Sequence, residues 1–318
     1  MPFFRNWLIE KGVHVIIDTF SDSDELLQRK KEEEKARVSS EDIVNLSKKW
    51  GVYKGQSITE DKVRAWLEQF GNNNNQRLMF RILQNVSFYT ADNIRSKMKE
   101  AHGIVIRGMM RYIKEGKLKK FDDILVSYLD HVGKSGASYA KLYADENNIY
   151  YENIVVREKL AEALTKKQGL NALVFIDDFI GTGDSASIYF EELAKECKEI
   201  FQRNGLRIFF IAVCGFQESL TRIEDALAKL GLPVEVHICD SLEESAKAFT
   251  DKSLIFPNEA ERIKARSICY DHGISLAKNN PLGYGECQAT IVFENSCPDN
   301  TLPIIWTDVK DWIPLFPR

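Results

Sequence analysis

The first part of the chain repeats its apolar residues at helical spacing. Val63, Trp66, Leu67 and Phe70 fall at positions i, i+3, i+4 and i+7, so they form one apolar stripe on a helix. Helices are predicted from an N-cap at Ser40 to about Trp50, from an N-cap at Thr59, over residues 78–86 and from Thr90 onward, with Gly71 and four asparagines forming a turn. The pattern therefore predicts a helical module over residues 1–118.

A second pattern begins near Phe121, where short apolar runs alternate with helix-like stretches. Residues 173–176 are four consecutive apolar residues, as expected of a strand buried in a parallel sheet. Strands are predicted at 124–129, 148–156, 173–176, 206–214, 234–239 and 288–293, and helices at 139–146, 157–167, 186–203, 216–230 and 260–273. The alternation predicts an α/β fold with a doubly wound, mostly parallel sheet in a domain over residues 119–318.

The composition is that of a globular protein, with 44% apolar and 11% aromatic residues in a chain of 318. The net charge of −4 argues against a general affinity for nucleic acid. The sequence contains no apolar stretch of 18 residues, so no membrane span is predicted. Six cysteines without a Cys-x-x-Cys pair favour reduced thiols. These features predict a cytoplasmic protein.

One segment departs from this acidic balance. Between Arg77 and Lys120 the chain has eleven cations and three anions, a net charge of +8. Such asymmetry is typical of a nucleic-acid face, but also of a solvated surface or of one that docks on the acidic half of the chain. The cations considered for nucleic-acid contact are Arg77, Arg81, Arg95 and Lys97.

The main candidate chemistry follows the apolar run 173–176. Asp177 and Asp178 come next, and carboxylates accept hydrogen bonds from sugar hydroxyls or hold Mg²⁺ through water. A glycine and hydroxyl turn then leads into a predicted helix, whose free N–H groups suit a phosphate. The turn residues considered for the phosphate are Gly181, Thr182, Gly183, Asp184 and Ser185. The order of these residues predicts one site for a ribose ring and its 5′-phosphate.

A second glycine-rich loop, residues 133–136, follows the first predicted strand. Its Gly-Lys-Ser sequence is not a Walker A motif, because that motif requires a glycine where this chain has Tyr128. An ATPase is therefore excluded. The loop residues considered for ligand contact are Gly133, Lys134, Ser135 and Gly136, and the alternative is an ordinary turn with an exposed lysine.

The stretch from Leu173 to Ser187 resembles the motif that binds phosphoribosyl pyrophosphate (PRPP) in type I phosphoribosyltransferases. In that motif an apolar strand is followed by two acidic residues, two apolar residues and a Thr/Ser–Gly turn. The resemblance implies that Asp177 and Asp178 hold the ribose hydroxyls and that residues 182–185 cradle the 5′-phosphate. It also implies a pyrophosphate loop at Lys134, Mg²⁺ as cofactor, and a ligand-covering C-terminal hood at about residues 255–318.

Two residues depart from what this resemblance implies. Asp184 places a negative charge inside the presumed phosphate loop, which weakens anion binding unless the side chain turns away. Gly181 stands where 6-oxopurine phosphoribosyltransferases carry an acidic general base, so purine salvage is disfavoured.

Three stretches together resemble the phosphoribosyltransferase-like effectors of bacterial conflict systems. They are residues 133–136, residues 175–183 and the ending from Cys297 to Arg318. The resemblance implies a glycosyltransferase or nucleotide N-glycosidase in anti-phage defence, similar to proteins encoded beside retron reverse transcriptases. The alternatives are a non-catalytic sensor of PRPP or a nucleotide, and a nucleic-acid-binding subunit partnered with a reverse transcriptase and its DNA or RNA. Homodimers are frequent in this fold, although the sequence defines no interface.

Overall fold

The computed structural model describes residues 27–28, 31, 34, 37–110, 124–130, 135–167, 170–203, 205–309 and 311–318. They form two compact units. The first contains the described residues up to Trp50 together with Ile58–Gln84, and the second contains Gly51–Ser57 and Asn85–Arg318. The predicted boundary between residues 118 and 119 lies outside the described residues, so it stays a prediction.

The first unit contains three described helices that bury their apolar stripes. They are α1 (Ser40–Lys49), α2 (Glu60–Glu68) and α3 (Asn73–Gln84). Thr59 caps α2 as predicted, because its side chain accepts a hydrogen bond from the Lys62 N–H. Trp66 on α2 is fully buried, as its place in the apolar stripe requires.

Two details of these helices differ from the prediction. The N-cap of α1 is Ser39 and not Ser40, since the Ser39 hydroxyl accepts from the Asp42 N–H at 3.0 Å. The four asparagines do not form a separate turn. Asn72 accepts from the Asn75 N–H at 3.0 Å, and α3 begins at Asn73. Asparagine is favoured both in turns and at helix starts, because its side chain accepts hydrogen bonds from nearby backbone N–H groups. The run of asparagines was therefore compatible with either structure.

The second unit contains the remaining elements. They are β1 (Val52–Tyr53), β2 (Gln56–Ser57), β3 (Ser87–Tyr89), α4 (Ala91–Met110), β4 (Ile124–Ser127), α5 (Gly136–Glu146), α6 (Leu160–Lys166), β5 (Ala172–Ile180), α7 (Asp184–Phe201), β6 (Arg207–Phe216), α8 (Gln217–Leu230), β7 (Val234–Leu242), α9 (Glu259–Leu276), β8 (Ile291–Phe293) and α10 (Pro303–Trp306). Single 3₁₀ turns lie at Tyr151–Asn153, Arg157–Lys159, Glu244–Ala246 and Tyr284–Glu286. None of the helices that the structure describes is long and apolar enough to cross a membrane.

The central sheet has the strand order β4-β5-β6-β7, with every pair parallel. The predicted strand at 148–156 is wrong, because a 3₁₀ turn occupies residues 151–153 and only Ile154 makes a parallel bridge to Val126 on β4. After β4 the chain passes to Ile154, which lies on one side of β4, and then returns to form β5 on the opposite side of β4. Such a reversal is a topological switch point, and ligands of α/β sheets bind there, at the carboxyl ends of the strands.

Helices cover both faces of this sheet. On one face Val174 and Ile176 of β5 pack with residues of α4 and α5, including Tyr143. On the other face Leu173 and Phe175 pack with residues of α6, α7 and α8. Alternate residues of β5 are buried on opposite faces, which explains the unbroken apolar run and confirms the doubly wound α/β fold.

A further strand pair joins distant parts of the second unit. Strand β8 lies parallel to β3, with Ser87 opposite Ile291 and Tyr89 opposite Phe293. Tyr53 reaches the end of the chain, where its hydroxyl donates to the Pro317 carbonyl at 2.7 Å. The C-terminal segment is thus tied to the body of the second unit through backbone and side-chain hydrogen bonds.

Gly273 in α9 gives a stability prediction whose sign depends on packing. In an open helical site Gly→Ala stabilises by about 0.5–1 kcal/mol. A Cβ at Gly273, however, would lie 2.0 Å from the carbonyl oxygen of Pro281, which is backbone and cannot turn away. Gly273→Ala is therefore expected to lower the melting temperature by several degrees.

Gly103 in α4 is the matched control. A Cβ there would meet only the end of the Arg107 side chain, at 3.3 Å, and this group can move. Gly103→Ala is expected to leave the melting temperature unchanged or to raise it. Thermal unfolding of both variants checks the pair, and stabilisation by Gly273→Ala would contradict the close packing of α9 on Pro281.

Candidate functional site

The acidic pair lies inside strand β5, near its carboxyl end. Asp177 is opposite Ala212 on β6, and the strand continues to Ile180, four residues beyond the predicted end. Asp178 is only 9% exposed, whereas Asp177 is partly exposed. The Asp178 N–H donates to the Asp177 carboxylate at 2.9 Å, and the Phe179 N–H donates to that of Asp178 at 2.9 Å. The two carboxylates are thereby held at the switch point of the sheet.

The loop after β4 meets this pair. The Ser135 side chain lies near the Asp178 carboxylate and favours its charged form. The Gly136 N–H donates to Asp130 at 3.2 Å, and a Cβ at Gly136 would lie 2.3 Å from the same carboxylate. Only glycine fits there. Ser135 thus lies near Asp178 and Gly136 lies against Asp130, and their contact with a ligand stays a prediction. Gly133 and Lys134 lie outside the described residues, so their contacts stay predictions.

Asp130 is a site residue that the sequence analysis missed. It follows β4 as the acidic pair follows the apolar run of β5, and a carboxylate after a strand was the available signal. Its charge acts on both Asp177 and Asp178. The charge of a third carboxylate therefore acts on the pair at the ends of the two strands that flank the switch point.

Burial is the main electrostatic effect on the pair. It raises the pKa of Asp177 well above the ordinary value, and the neighbouring charge of Asp178 adds to the rise. Burial also raises the pKa of Asp178, although hydrogen bonds from Asp177, Ser135 and the Phe179 N–H favour its charged form. Because ionisation of this pair is costly, a ligand that brings hydroxyl donors or a cation stabilises the charged carboxylates.

The residues predicted to bind a phosphate, 181–185, form the turn after β5 and the start of α7. Gly183 has φ of +81° and precedes the first residue of α7, which begins at Asp184, two residues earlier than predicted. The Thr182 hydroxyl accepts from the Asp184 N–H at 3.3 Å. The left-handed backbone at Gly183 turns the chain from strand to helix within three residues, so the N–H groups at the start of α7 face the end of the sheet.

The charge of Asp184 is balanced by a residue that the sequence analysis did not identify. Arg222 on α8 forms an ion pair with the Asp184 carboxylate at 2.7 Å, and the same guanidinium nitrogen lies 3.4 Å from the Thr182 carbonyl. This pairing depends on α7 and α8 being neighbours, which no local pattern reveals. It reduces the repulsion that Asp184 would exert on a bound phosphate.

The segment predicted as a C-terminal hood, about residues 255–318, contributes the wall opposite this loop. A Cβ at Gly181 would lie 2.3–2.6 Å from three side-chain atoms of Asn300, so the carboxamide lies flat against the loop. A Cβ at Gly285 would meet the Thr182 methyl group at 2.8 Å. The cavity between these walls has a volume of about 40 Å³ and is lined by Asp177, Phe179, Ile180, Gly181, Thr182, Gly183, Ser185, Ala186 and Asn300.

The cations considered for nucleic acid lie in both units. Arg77 and Arg81 are on α3 in the first unit, and Arg77 pairs with Asp42 at 3.5 Å. Arg95 and Lys97 are on α4 in the second unit, where Arg95 pairs with Glu146 at 3.5 Å and Lys97 with Glu100 at 3.0 Å. Arg77, Arg95 and Lys97 thus have acidic partners in their own unit, and nucleic-acid contact stays a prediction.

The chain belongs to the PRTase-CE family. The model of this phosphoribosyltransferase-like family matches residues 63–318, which include the acidic pair, the predicted phosphate loop and the predicted hood. No curated protein matches the chain. Among solved structures, the AQ2163 protein from Aquifex aeolicus is similar at 16% identity, over 68% of this chain and 98% of that chain, with a TM-score of 0.30. Membership of the PRTase-CE family supports a phosphoribosyltransferase-like function.

The raised carboxyl pKa values predict how stability depends on pH. Between the ordinary carboxyl pKa of about 3.9 and the raised values, the folded state binds more protons than the unfolded state, so ionisation of the pair destabilises the fold as pH rises. Asp177→Asn is therefore expected to raise the melting temperature of the ligand-free protein at pH 8, on the order of 3 °C, and to change it little at pH 4.

Asp225→Asn is the control, because Asp225 is an exposed carboxylate on α8. Its effect on the melting temperature is expected to be small and similar at both pH values. Thermal unfolding at pH 4 and pH 8 makes the comparison. An Asp177→Asn effect that is the same at both pH values would contradict a pair that is costly to ionise.

Proposed function

We propose that this protein binds PRPP or a nucleotide at the carboxyl ends of β4 and β5 and makes or breaks an N-glycosidic bond. The observation that carries the proposal is the position of the Asp177–Asp178 pair, inside β5 and beside the loop that starts α7. Ribose hydroxyls donate to carboxylates, and the N–H groups of residues 182–185 suit a phosphate. A 5′-phosphorylated ribose has its ring hydroxyls and its phosphate a short distance apart, so one molecule can contact both the carboxylates and the loop.

In the proposed reaction the residues of this chain bind and orient the sugar. Asp177 and Asp178 accept hydrogen bonds from its hydroxyls, and their negative charge stabilises the oxocarbenium character that develops as the bond to C1 breaks. The loop at the start of α7 fixes the phosphate, while Arg222 balances the charge of Asp184. The proposed pyrophosphate contact at Lys134 completes this arrangement.

The donor set is compatible with the proposed Mg²⁺. Carboxylate oxygens are the protein ligands that Mg²⁺ prefers, usually one or two together with substrate phosphates and water. The part of the chain that the structure describes contains no group of three His, Cys, Asp or Glu side chains that could hold a metal. Asp177 and Asp178 would therefore hold the ion jointly with the ligand, and the ion would neutralise the pyrophosphate.

Calorimetric titration of PRPP with Mg²⁺ tests the binding proposal. Wild type is expected to bind saturably, and Asp177→Asn/Asp178→Asn is expected to bind at least about 100-fold more weakly. Each lost hydrogen bond to a carboxylate costs about 1.5–3 kcal/mol, and about 1.4 kcal/mol corresponds to a factor of ten in affinity.

Glu60→Gln/Asp61→Asn is the matched control, since it removes two adjacent, exposed carboxylates from α2 in the first unit. Its affinity for PRPP is expected to equal that of wild type. If folded wild type binds neither PRPP nor nucleotides, the proposed function is wrong.

A second candidate function is a non-catalytic sensor of the same ligand. It is favoured by the absence of an acidic side chain at Gly181, where the carboxamide of Asn300 occupies the adjacent space instead. An amide does not serve as a general base, so ligand binding without turnover is the alternative. The roles in defence and with a reverse transcriptase stay predictions from the family resemblance.

Turnover separates the two functions. An enzyme is expected to release pyrophosphate from PRPP, or free base from a nucleotide, at a rate that falls to background in Asp177→Asn/Asp178→Asn. Chromatography of a reaction mixture at saturating ligand measures both products, with candidate acceptor bases added to the PRPP reactions. Saturable binding from which the ligand is recovered unchanged would favour the sensor.

A further inference from the structure

Asn300 enters the candidate site from a part of the chain distant in sequence. It follows β8, whereas the loop it covers follows β5. Its carboxamide is so close to the Gly181 backbone that a Cβ at position 181 would lie 2.4 Å from Nδ2 and 2.6 Å from Oδ1. The side chain that residue 181 lacks is therefore replaced in space by the side chain of Asn300.

The backbone of Asn300 is held firmly. Its carbonyl accepts from the Ala289 N–H at 3.2 Å, and the Leu302 N–H donates back to the Ala289 carbonyl at 3.0 Å. The Thr301 hydroxyl donates to the Ile291 carbonyl of β8 at 2.6 Å. These bonds tie the turn to the strand pair β3–β8, so Asn300 is positioned before any ligand arrives.

The carboxamide is also oriented. Nδ2 donates one hydrogen to the Tyr284 carbonyl at 3.2 Å. Within the described part of the chain no other hydrogen bond of this side chain is seen, which leaves the second N–H and Oδ1 for a ligand. An oriented amide with one donor and one acceptor to spare is suited to bind a hydroxyl or a phosphate oxygen.

The cavity limits what the amide can contact. Asn300 lines it together with Asp177 and residues 181–183, and its volume is about 40 Å³. The pocket is partly open to solvent, so a ligand larger than this volume can place one small group in it. A water molecule, for comparison, takes about 30 Å³ in the liquid. A group that fills it touches the Asn300 carboxamide, Asp177 and residues 181–183 together.

We propose that Asn300 is a ligand-binding residue, whose carboxamide donates to and accepts from the phosphorylated sugar held between Asp177 and the start of α7. This inference rests on the proposed function, since it assumes a sugar phosphate in the cavity. It assigns to the hood a direct role in selecting the ligand. The neutral amide adds a hydrogen-bonding group beside Asp177 without adding a further negative charge.

A purely structural role for Asn300 makes a different prediction. If the side chain only fills space against Gly181, its replacement lowers stability and changes ligand affinity no more than other hood substitutions do. Asn280 provides the comparison, because its side chain accepts from the Gly285 N–H at 3.4 Å but does not line the cavity. Asn300 and Asn280 thus have the same side chain in the same segment, but only Asn300 lines the cavity.

The experiment is calorimetric titration of PRPP with Mg²⁺ into wild type, Asn300→Ala, Asn300→Asp and Asn280→Ala. Asn300→Ala is expected to weaken binding about tenfold, the usual effect of losing one hydrogen bond. Asn300→Asp is expected to weaken it on the order of 100-fold at pH 8, because a carboxylate of similar size then faces Asp177 and the phosphate. Asn280→Ala is expected to bind like wild type.

The pH dependence of Asn300→Asp gives a readout that packing alone would not change. Protonation restores a neutral hydrogen-bonding group, so the affinity ratio between wild type and Asn300→Asp is expected to fall at pH 5. Thermal unfolding shows that each variant is folded. Wild-type affinity in both Asn300 variants would overturn the inference and leave the proposed function intact, whereas absence of binding by wild type would overturn both.

Discussion

Two carboxylates inside a sheet that is covered on both faces are the constraint on which the site depends. Asp177 and Asp178 occupy positions where β5 would otherwise continue its buried apolar run. Their ionisation is opposed by burial and by each other, and Asp130 adds to the effect. A strand can carry such a pair only near its end, where the sheet opens and a ligand or cation offsets the cost.

The site also requires backbone segments to lie very close to neighbouring side chains, and a glycine makes this possible at three contacts. Gly136 lies against the Asp130 carboxylate, Gly181 against Asn300, and Gly285 against Thr182. The first contact closes the loop after β4 on itself, and the other two join the loop after β5 to the C-terminal segment. A methyl group at Gly136 or Gly181 would push one wall of the site away, so the glycines define its width.

Much of the fold was predictable from the sequence because local patterns determine it. The apolar run of β5, the N-cap at Thr59 and the helical stripe at Trp66 depend only on nearby residues. The strand predicted at 148–156 failed because its sequence is apolar enough for an edge strand, yet it pairs with β4 only at Ile154. Whether an edge segment extends its pairing depends on tertiary contacts that periodicity does not reveal.

The candidate site was predictable in part, and for the same reason. The acidic pair and the phosphate turn are contiguous, so their order alone indicated the chemistry. Arg222 and Asn300 lie about 40 and 120 residues after the phosphate turn, and they reach it only because α8 lies beside α7 and the hood folds back. Asp130, unlike Arg222 and Asn300, could have been identified from the sequence, because it closely follows a predicted strand.

The pairing of β8 with β3 has a consequence for the order in which this protein matures during synthesis. Ser87 and Ile291 are partners although about 200 residues separate them, and Asn300 follows directly after β8. Domains fold from the amino terminus as they are made, but this pair cannot form until nearly the whole chain exists. A nascent or prematurely ended chain therefore has the acidic pair and the phosphate loop without the wall that covers them. The wall that Asn300 provides is therefore added only after residues 291–300 have been made, so the cavity is completed late in synthesis.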